Sequence, residues 1–309
     1  YRKRQQATPH LWASKLVAAS LNEVAQDWAG RVRTATKQTQ AAGLYCGRAF
    51  QAAREAAAIL KGDFWIISAG LGLVSGNTPI APYKLTVAPG ASESVVNRVT
   101  PSTWEPGAWW GALKTNGVCN ADLFSLITNS NAQLVLIGLS ESYARMVAND
   151  INQLDDVILP RLRIFSLSAI SSLPKRMHPC VMPYDRRLDG PDSPMPGTLT
   201  DFSTRALLHF AVQHKAGSIP GRDPKEDALL IEALLHKWQF PKKIKRSTRT
   251  DLELLDIIRN HWDHVDGKHS RMLRYFRDDL LIACEQSRCR KLCHEVAAEK
   301  RKQQGEFPL

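Results

Sequence analysis

Three kinds of group in this 309-residue sequence, two side chains and one stretch of backbone, could do chemistry, and each sits among turn residues. The first is a carboxylate. Asp185 lies in Pro183-Tyr184-Asp185-Arg186-Arg187, beside an aromatic ring and two guanidiniums, and Asp189 and Asp201 follow in the same Pro- and Gly-rich stretch. A carboxylate so placed can hold an attacking water, or it can cap a turn and pair with its arginines. The second is the amide of Asn77 in Gly76-Asn77-Thr78-Pro79, able to orient a water or read a polar edge, although this is also ordinary turn sequence. The third is the glycine loop Ser68-Ala69-Gly70-Leu71-Gly72, whose backbone N–H groups could approach a ligand closely. It lacks the third glycine and the helix start of a dinucleotide fingerprint, so no cofactor is expected.

Other chemistries find less support. Cys284, Cys289, Cys293 and His294 do not follow zinc-ligand spacing, and Arg288 and Arg290 among them oppose a cation, so these are expected to be buried thiols. His261 and His264 have no third ligand in view, and no nucleophile elbow marks a Ser/His/Asp hydrolase. Six scattered cysteines without a disulfide pattern fit a reducing, cytoplasmic setting. No apolar run approaches the roughly 18 residues a bilayer requires, so no membrane partner is expected.

The elements that must position these groups read as α/β. Apolar spacing predicts helices over Leu11–Ala29 and Leu44–Leu60, the first stopped by Gly30 and the second by Gly62-Asp63. Phe64-Trp65-Ile66-Ile67 has the continuous apolar character of a strand buried on both faces, as do Gln133–Leu139 and Leu162–Leu167. A helix from about Ser142 to Leu154 between the last two makes a parallel crossover unit. The expected fold is therefore a mostly parallel sheet flanked by helices, with the strand ends at Ser68, Ser140 and Ser168 along one ligand-binding edge. Helices are expected over 202–214, 226–238, 249–261, 270–281 and 283–302.

Two further segments sharpen this picture. Ala42-Gly43-Leu44-Tyr45-Cys46-Gly47-Arg48-Ala49-Phe50 precedes the first strand, and Asn77-Thr78-Pro79-Ile80-Ala81-Pro82-Tyr83-Lys84-Leu85-Thr86 follows the glycine loop. Together they resemble the superfamily of the YaaA peroxide-stress, DNA-binding proteins. Its members carry a Leu-Tyr-x-Gly-x-x-Phe helix start, a strand ending in Ser-Ala-x-x-Gly-Leu, and a Pro-Tyr-Asp-Leu-Thr segment, whose Asp is Lys84 here. Tyr1-Arg2-Lys3-Arg4-Gln5 resembles the basic stretch after the family's first strand, which places that strand before Tyr1. The resemblance covers Tyr1 to about Phe165 and implies a uracil-DNA-glycosylase-like sheet with a base pocket on its loops. Some longer relatives resemble antiviral glycosylases that excise modified bases.

Under that resemblance the residues take roles. A DNA glycosylase flips a base, stacks it, reads its edge and stabilises an oxocarbenium-like sugar while water attacks. Asp185 is the expected catalytic carboxylate, with Asn77 assisting. Ser68, Gly70, Gly72, Pro82, Tyr83, Tyr45 and Ser140 are expected to line the base pocket, Tyr45 and Tyr83 as stacking rings or as core. Trp104, Trp109 and Trp110 are candidates for a wedge into the duplex or for core packing.

A formal charge of +11 and a pI near 9.5 imply attraction to a polyanion, with DNA as the expected partner. Arg2, Lys3, Arg4 and Arg187 are expected phosphate contacts. So are Lys242, Lys243, Lys245 and Arg246 in one basic run. Lys268, Arg271 and Arg274 crowd a helix joined through Asp263–Gly267 to its predecessor, like a helix-turn-helix pair. The expected organisation is a base-processing domain over 1–172, a Pro/Gly-rich connector over 173–222 and a basic helical DNA-binding region over 223–309. The expected function is hydrolysis of an N-glycosidic bond in DNA in anti-phage defence. The alternatives are a non-catalytic DNA-binding stress protein and an enzyme of free nucleosides or nucleotides.

Overall fold

The computed structural model describes residues 6–101, 104–119, 121–242 and 244–303. It divides into two compact units, 1–241 and 242–309, so the expected boundaries at 172 and 222 both fall inside the first.

The first unit mixes helices with short strands in two-stranded sheets. Its elements in order are α1 (Leu21–Thr34), β1 (Thr39–Gln40), α2 (Ala41–Leu44), α3 (Arg48–Leu60), β2 (Trp65–Ser68), β3 (Gly72–Ser75) and β4 (Pro79–Ile80). There follow α4 (Pro106–Thr115), α5 (Leu123–Thr128), β5 (Val135–Gly138), α6 (Glu141–Asn152), β6 (Leu162–Phe165), α7 (Phe202–Lys215) and α8 (Pro224–Leu235).

The helix expected from Leu11 begins ten residues later. Ser20 and Glu23 form a reciprocal capping box that starts α1, and two 3₁₀ turns occupy Pro9–Lys15. Gly30 does not stop it, since it lies within the helix with no neighbouring atoms to clash with an added side chain. The second expected helix is broken at Tyr45–Gly47, where extended backbone separates α2 from α3.

The largest departure is at β2, which is not part of a parallel sheet. It pairs antiparallel with β3 in a hairpin, Trp65 opposite Ser75 and Ser68 opposite Gly72. The glycine loop is thus a tight turn that reverses the chain within a few residues. By contrast β5 and β6 pair in parallel, Val135 opposite Leu162 and Gly138 opposite Phe165, with α6 in the crossover as the spacing predicts. β2/β3 and β5/β6 are separate sheets.

The hairpin turn is buried, and its polar groups are met both by Ser68 within it and by side chains arriving from far along the chain. The Trp28 indole of α1 donates to Gly70 O at 2.6 Å, and the Trp109 indole of α4 donates to Ala69 O at 2.7 Å. Ser68 Oγ accepts from Leu71 N and lies 2.6 Å from Tyr83 Oη, itself 2.6 Å from Tyr45 Oη. The glycines are required by this crowding. A Cβ on Gly70 would stand 2.7 Å from the Tyr83 ring, and one on Gly72, where φ is +72°, would meet Cys119 Cβ at 2.4 Å.

The region after β6 is held to the sheet by charge as well as by apolar packing. Arg163 of β6 and Asp227 of α8 are both fully buried, with guanidinium and carboxylate 2.6 Å apart. Tyr184, Leu188, Phe202 and Phe210 pack with Phe165 in the same layer.

In the second unit β7 (Ser247–Thr248) pairs in parallel with β8 (Ile282–Ala283). Around them lie α9 (Asp251–Asn260), α10 (His269–Arg274) with a π turn over Tyr275–Asp279, and α11 (Gln286–Gln303). Leu254, Ile258, Met272, Phe276, Cys289 and Val296 form the core. The residues between α9 and α10, 261–268, contain a 3₁₀ turn and two positive-φ positions, Asp266 and Gly267, a longer passage than the short turn of a helix-turn-helix.

Two measurements test this packing. Gly72→Ala is expected to lower unfolding free energy by about 2–4 kcal/mol, from the left-handed backbone and overpacking together, whereas Gly90→Ala, at φ +75° in open space, costs only about 1 kcal/mol. Equal losses in urea unfolding would show that the buried turn is not the constraint. Asp227→Ala leaves a buried guanidinium unpaired and is expected to cost about 3–5 kcal/mol, most of it recovered when Arg163→Met is added.

Candidate nucleic-acid interface

Of the residues expected to form a catalytic base pocket, Ser68, Gly70, Gly72, Tyr83 and Tyr45 meet around the buried turn, whereas the candidate carboxylates are held elsewhere in the first unit. Asp185 caps the 3₁₀ turn Arg186–Asp189, accepting from Arg187 N at 2.8 Å, and its carboxylate pairs with the Arg187 guanidinium. Arg187 reaches on to Glu232 of α8 at 2.9 Å and is largely buried, so it ties the loop to α8 and is not an open phosphate contact. Asp189 and Asp201 converge on one buried guanidinium: Arg205 lies 2.6 Å from the first and 2.7 Å from the second, and also donates to Met195 O and Thr198 O. Burial alone would raise the Asp201 pKa. The Thr198 N–H, Arg205 and Arg48 outweigh that and hold it below the ordinary carboxylate range. All three candidate carboxylates therefore serve to fasten the Pro/Gly-rich stretch.

Asn77 is exposed in the turn between β3 and β4, its N–H facing Ser75 Oγ at 3.4 Å. Tyr45 and Tyr83 are buried and hydrogen-bonded through their hydroxyls, so they are core and not stacking platforms. Gly70 and Gly72 are packed against Tyr83 and Cys119, Ser68 is buried beneath them, and Pro82 is half-buried next to Tyr83. Trp109 and Trp110 are buried too, the latter donating to Asp150 of α6 at 2.8 Å, which excludes them as an exposed wedge. Lys84, standing where the related segment has Asp, lies 3.9 Å from the Trp12 ring centroid as a cation–π partner.

Among the described residues of this unit, two cavities bear on the expected site. One of about 700 Å³ lies between β2 and β5 and reaches Ser140 at the start of α6; the other, about 250 Å³, lies beside Tyr83 and the β3–β4 turn. Neither is lined by Asp185, Asp189, Asp201 or Asn77.

Next to Asp185 a buried aromatic cluster carries a polar contact that sequence reading missed. The Tyr184 hydroxyl lies 2.8 Å from His209 Nδ1, and the imidazole packs edge-on against Tyr184 and Trp238. His209 sits mid-helix in α7 among apolar residues, and only the partner brought from the loop explains it. Burial pushes its pKa down to about 4 and raises that of Tyr184.

The second unit is different in kind. It holds about a fifth of the chain but nearly half of its net charge. α10 buries Met272, and Phe276 in the following π turn, while Lys268, Arg271 and Arg274, spaced by three, are exposed on another face. Arg271 pairs with Asp266, and Arg246 approaches Asp278 and donates to Arg277 O. Lys242, Lys245, Lys268, Arg274, Arg290 and Lys291 are exposed and carry no ion pair among the described residues. Arg2, Lys3, Arg4 and Lys243 lie outside the described residues. Cys284, Cys289 and Cys293 are buried in the core as expected, and among the described residues no three His, Cys, Asp or Glu side chains are grouped to hold a metal. No helix among the described residues is long and apolar enough to cross a membrane.

His209 gives a pH signature. Because its folded pKa lies below the unfolded value of 6.5, its contribution is complete above that value and is lost as pH falls toward about 4, by at most about 3 kcal/mol. His209→Gln keeps an acceptor for Tyr184 without titrating. The stability difference between wild type and this variant, measured by urea unfolding, is expected to change across that window and to stay constant above neutrality; a flat difference throughout refutes the assignment.

No family model, no curated protein and no solved structure matches this chain, so its function is argued from the chemistry of its own surfaces.

Proposed function

We propose that this chain binds DNA, engaging the phosphate backbone through its second unit. One observation carries this reading: the second unit holds nearly half of the net charge on about a fifth of the chain, and Lys268 and Arg274, beside and on α10, stand exposed without carboxylate partners, while Arg187 and Arg205 of the Pro/Gly-rich stretch are buried in ion pairs. A surface cation without a partner gains the full benefit of counterion release when a phosphate replaces bulk salt. One already held by a carboxylate does not.

Non-catalytic binding is favoured over base excision. A glycosylase needs a carboxylate or amide, a stacking ring and a cavity that converge, and the candidates for these are occupied in turns, buried in the core or absent from either cavity. A uracil-DNA-glycosylase-like sheet belongs to the excision reading, and the parallel β5–α6–β6 unit is what supports it. A cytoplasmic setting is proposed from the six scattered cysteines, and an anti-phage role belongs to the excision reading, which rests on the resemblance of the glycine-loop segments.

Binding of the whole chain to a fluorescent duplex, titrated over a range of salt, tests the reading. Lys268→Glu with Arg274→Glu is expected to weaken binding about tenfold or more and to lower the salt slope by roughly 2, uniformly across sequences. Asp185→Ala is expected to leave affinity unchanged. An unaltered slope in the double variant would sink the interface. Abasic sites formed in a modified duplex by wild type, with release of the free base, and not by Asp185→Ala would replace binding with excision.

A further inference from the structure

The loop joining α9 to α10 carries more aromatic surface than a turn requires. His261, Trp262 and His264 lie on it, and Tyr275 follows α10 directly. The Tyr275 ring centroid stands 4.9 Å from that of His261 and 5.2 Å from that of His264, and its hydroxyl lies 3.3 Å from His261 Nδ1. Trp262 packs over Gly267, where φ is +61° and a Cβ would stand 2.9 Å from the indole, which anchors the turn that presents His264.

These rings are not a core. His261 and Tyr275 are half-buried, and His264 is exposed and makes no hydrogen bond or ion pair among the described residues. A structural histidine is ordinarily held through its ring nitrogens, as His209 and His214 are in the first unit. His264 is braced against two other rings instead, and most of what it offers is π surface.

Cations stand beside it. Tyr275 lies one helical turn beyond Arg271 and directly after Arg274, and Lys268 lies three positions before Arg271. The carboxylates of the loop are engaged, Asp263 with Lys300 at 3.9 Å and Asp266 with Arg271, which leaves Lys268 and Arg274 exposed without an ion pair. Phosphates are accessible in duplex and single-stranded DNA alike, so cations alone do not distinguish the two. Rings do. In a duplex each base is covered by its neighbours, whereas an unpaired base can stack on a side-chain ring, which raises affinity about tenfold or more per base.

Resting on the reading of this unit as a DNA-binding surface, we propose that its preferred ligand is single-stranded DNA. An unpaired base stacks on His264, braced by Tyr275 and His261, while Lys268 and Arg274 hold the flanking phosphates. Stacking of this kind tolerates any base, because every base has a π face.

Binding of the whole chain to oligo(dT), to an abasic strand of the same length and charge, and to a duplex tests the proposal. Wild type is expected to bind oligo(dT) about tenfold or more tightly than the abasic strand. His264→Ala is expected to close most of that gap without changing the salt slope or the affinity for duplex, and His264→Phe, which keeps a ring, to preserve it. Equal binding of oligo(dT) and the abasic strand by wild type, or a gap that survives in His264→Ala, would overturn the stacking site. A duplex weakened by His264→Ala as much as oligo(dT) would overturn the preference for unpaired bases, and tighter binding of oligo(U) than of oligo(dT) would overturn the assignment to DNA. The phosphate contacts are read separately by Lys268→Glu with Arg274→Glu, which is expected to weaken oligo(dT) and the abasic strand alike. If it does so while wild type binds the two strands equally, the stacking site falls and the phosphate reading stands.

Discussion

The first unit is organised around one buried turn. Chain reversal at Ser68–Gly72 leaves carbonyls and N–H groups inside the core, where each must find a partner or destabilise the fold by several kcal/mol in sum, about 1–3 each. The partners come from α1, α4 and the segment after β4: Trp28, Trp109 and Tyr83, with Tyr45 behind Tyr83. The indoles lie 42 and 40 residues from the carbonyls they satisfy, so none of these elements can be positioned without the others. The glycines, which have the look of a ligand loop, are the clearance that lets large rings close on the turn.

This explains what could be read in the sequence. β5, α6 and β6 were legible because a parallel crossover announces itself locally, by two apolar runs with a periodic helix between them. Most helices of the second half were legible for the same reason, although Arg249 and His261 proved to be flanks and α10 gives way to a π turn at Tyr275. The pairing of β2 was not legible. A short apolar run is the same in a hairpin and in a parallel sheet, and what decides between them is that Gly72 adopts a positive φ and that its neighbours are tryptophans from elsewhere. The role of the candidate carboxylates was not legible for a related reason. Asp185, Asp189 and Asp201 stand near arginines in sequence, but only the fold shows that Arg187 and Arg205 are turned inward to hold them.

Charge is thus handled in two ways within one chain. In the first unit the conspicuous arginines are structural: Arg163, Arg187 and Arg205 are buried and each is met by carboxylates. Lys84 is satisfied by an aromatic face. In the second unit several lysines and arginines are left to solvent, as are Lys37, Lys61 and Arg222 of the first. A net charge read from composition cannot separate these, although the difference decides which surface a polyanion meets.

The Arg163–Asp227 pair has one more consequence. All four residues of β6 are buried, so the strand has no polar face and apolar face to tell one alignment with β5 from the next. A slide by one residue would keep its side chains in apolar surroundings. It would also carry the guanidinium of Arg163 away from Asp227 and strand both charges in the core. The buried pair therefore acts as an alignment key for β6 against β5.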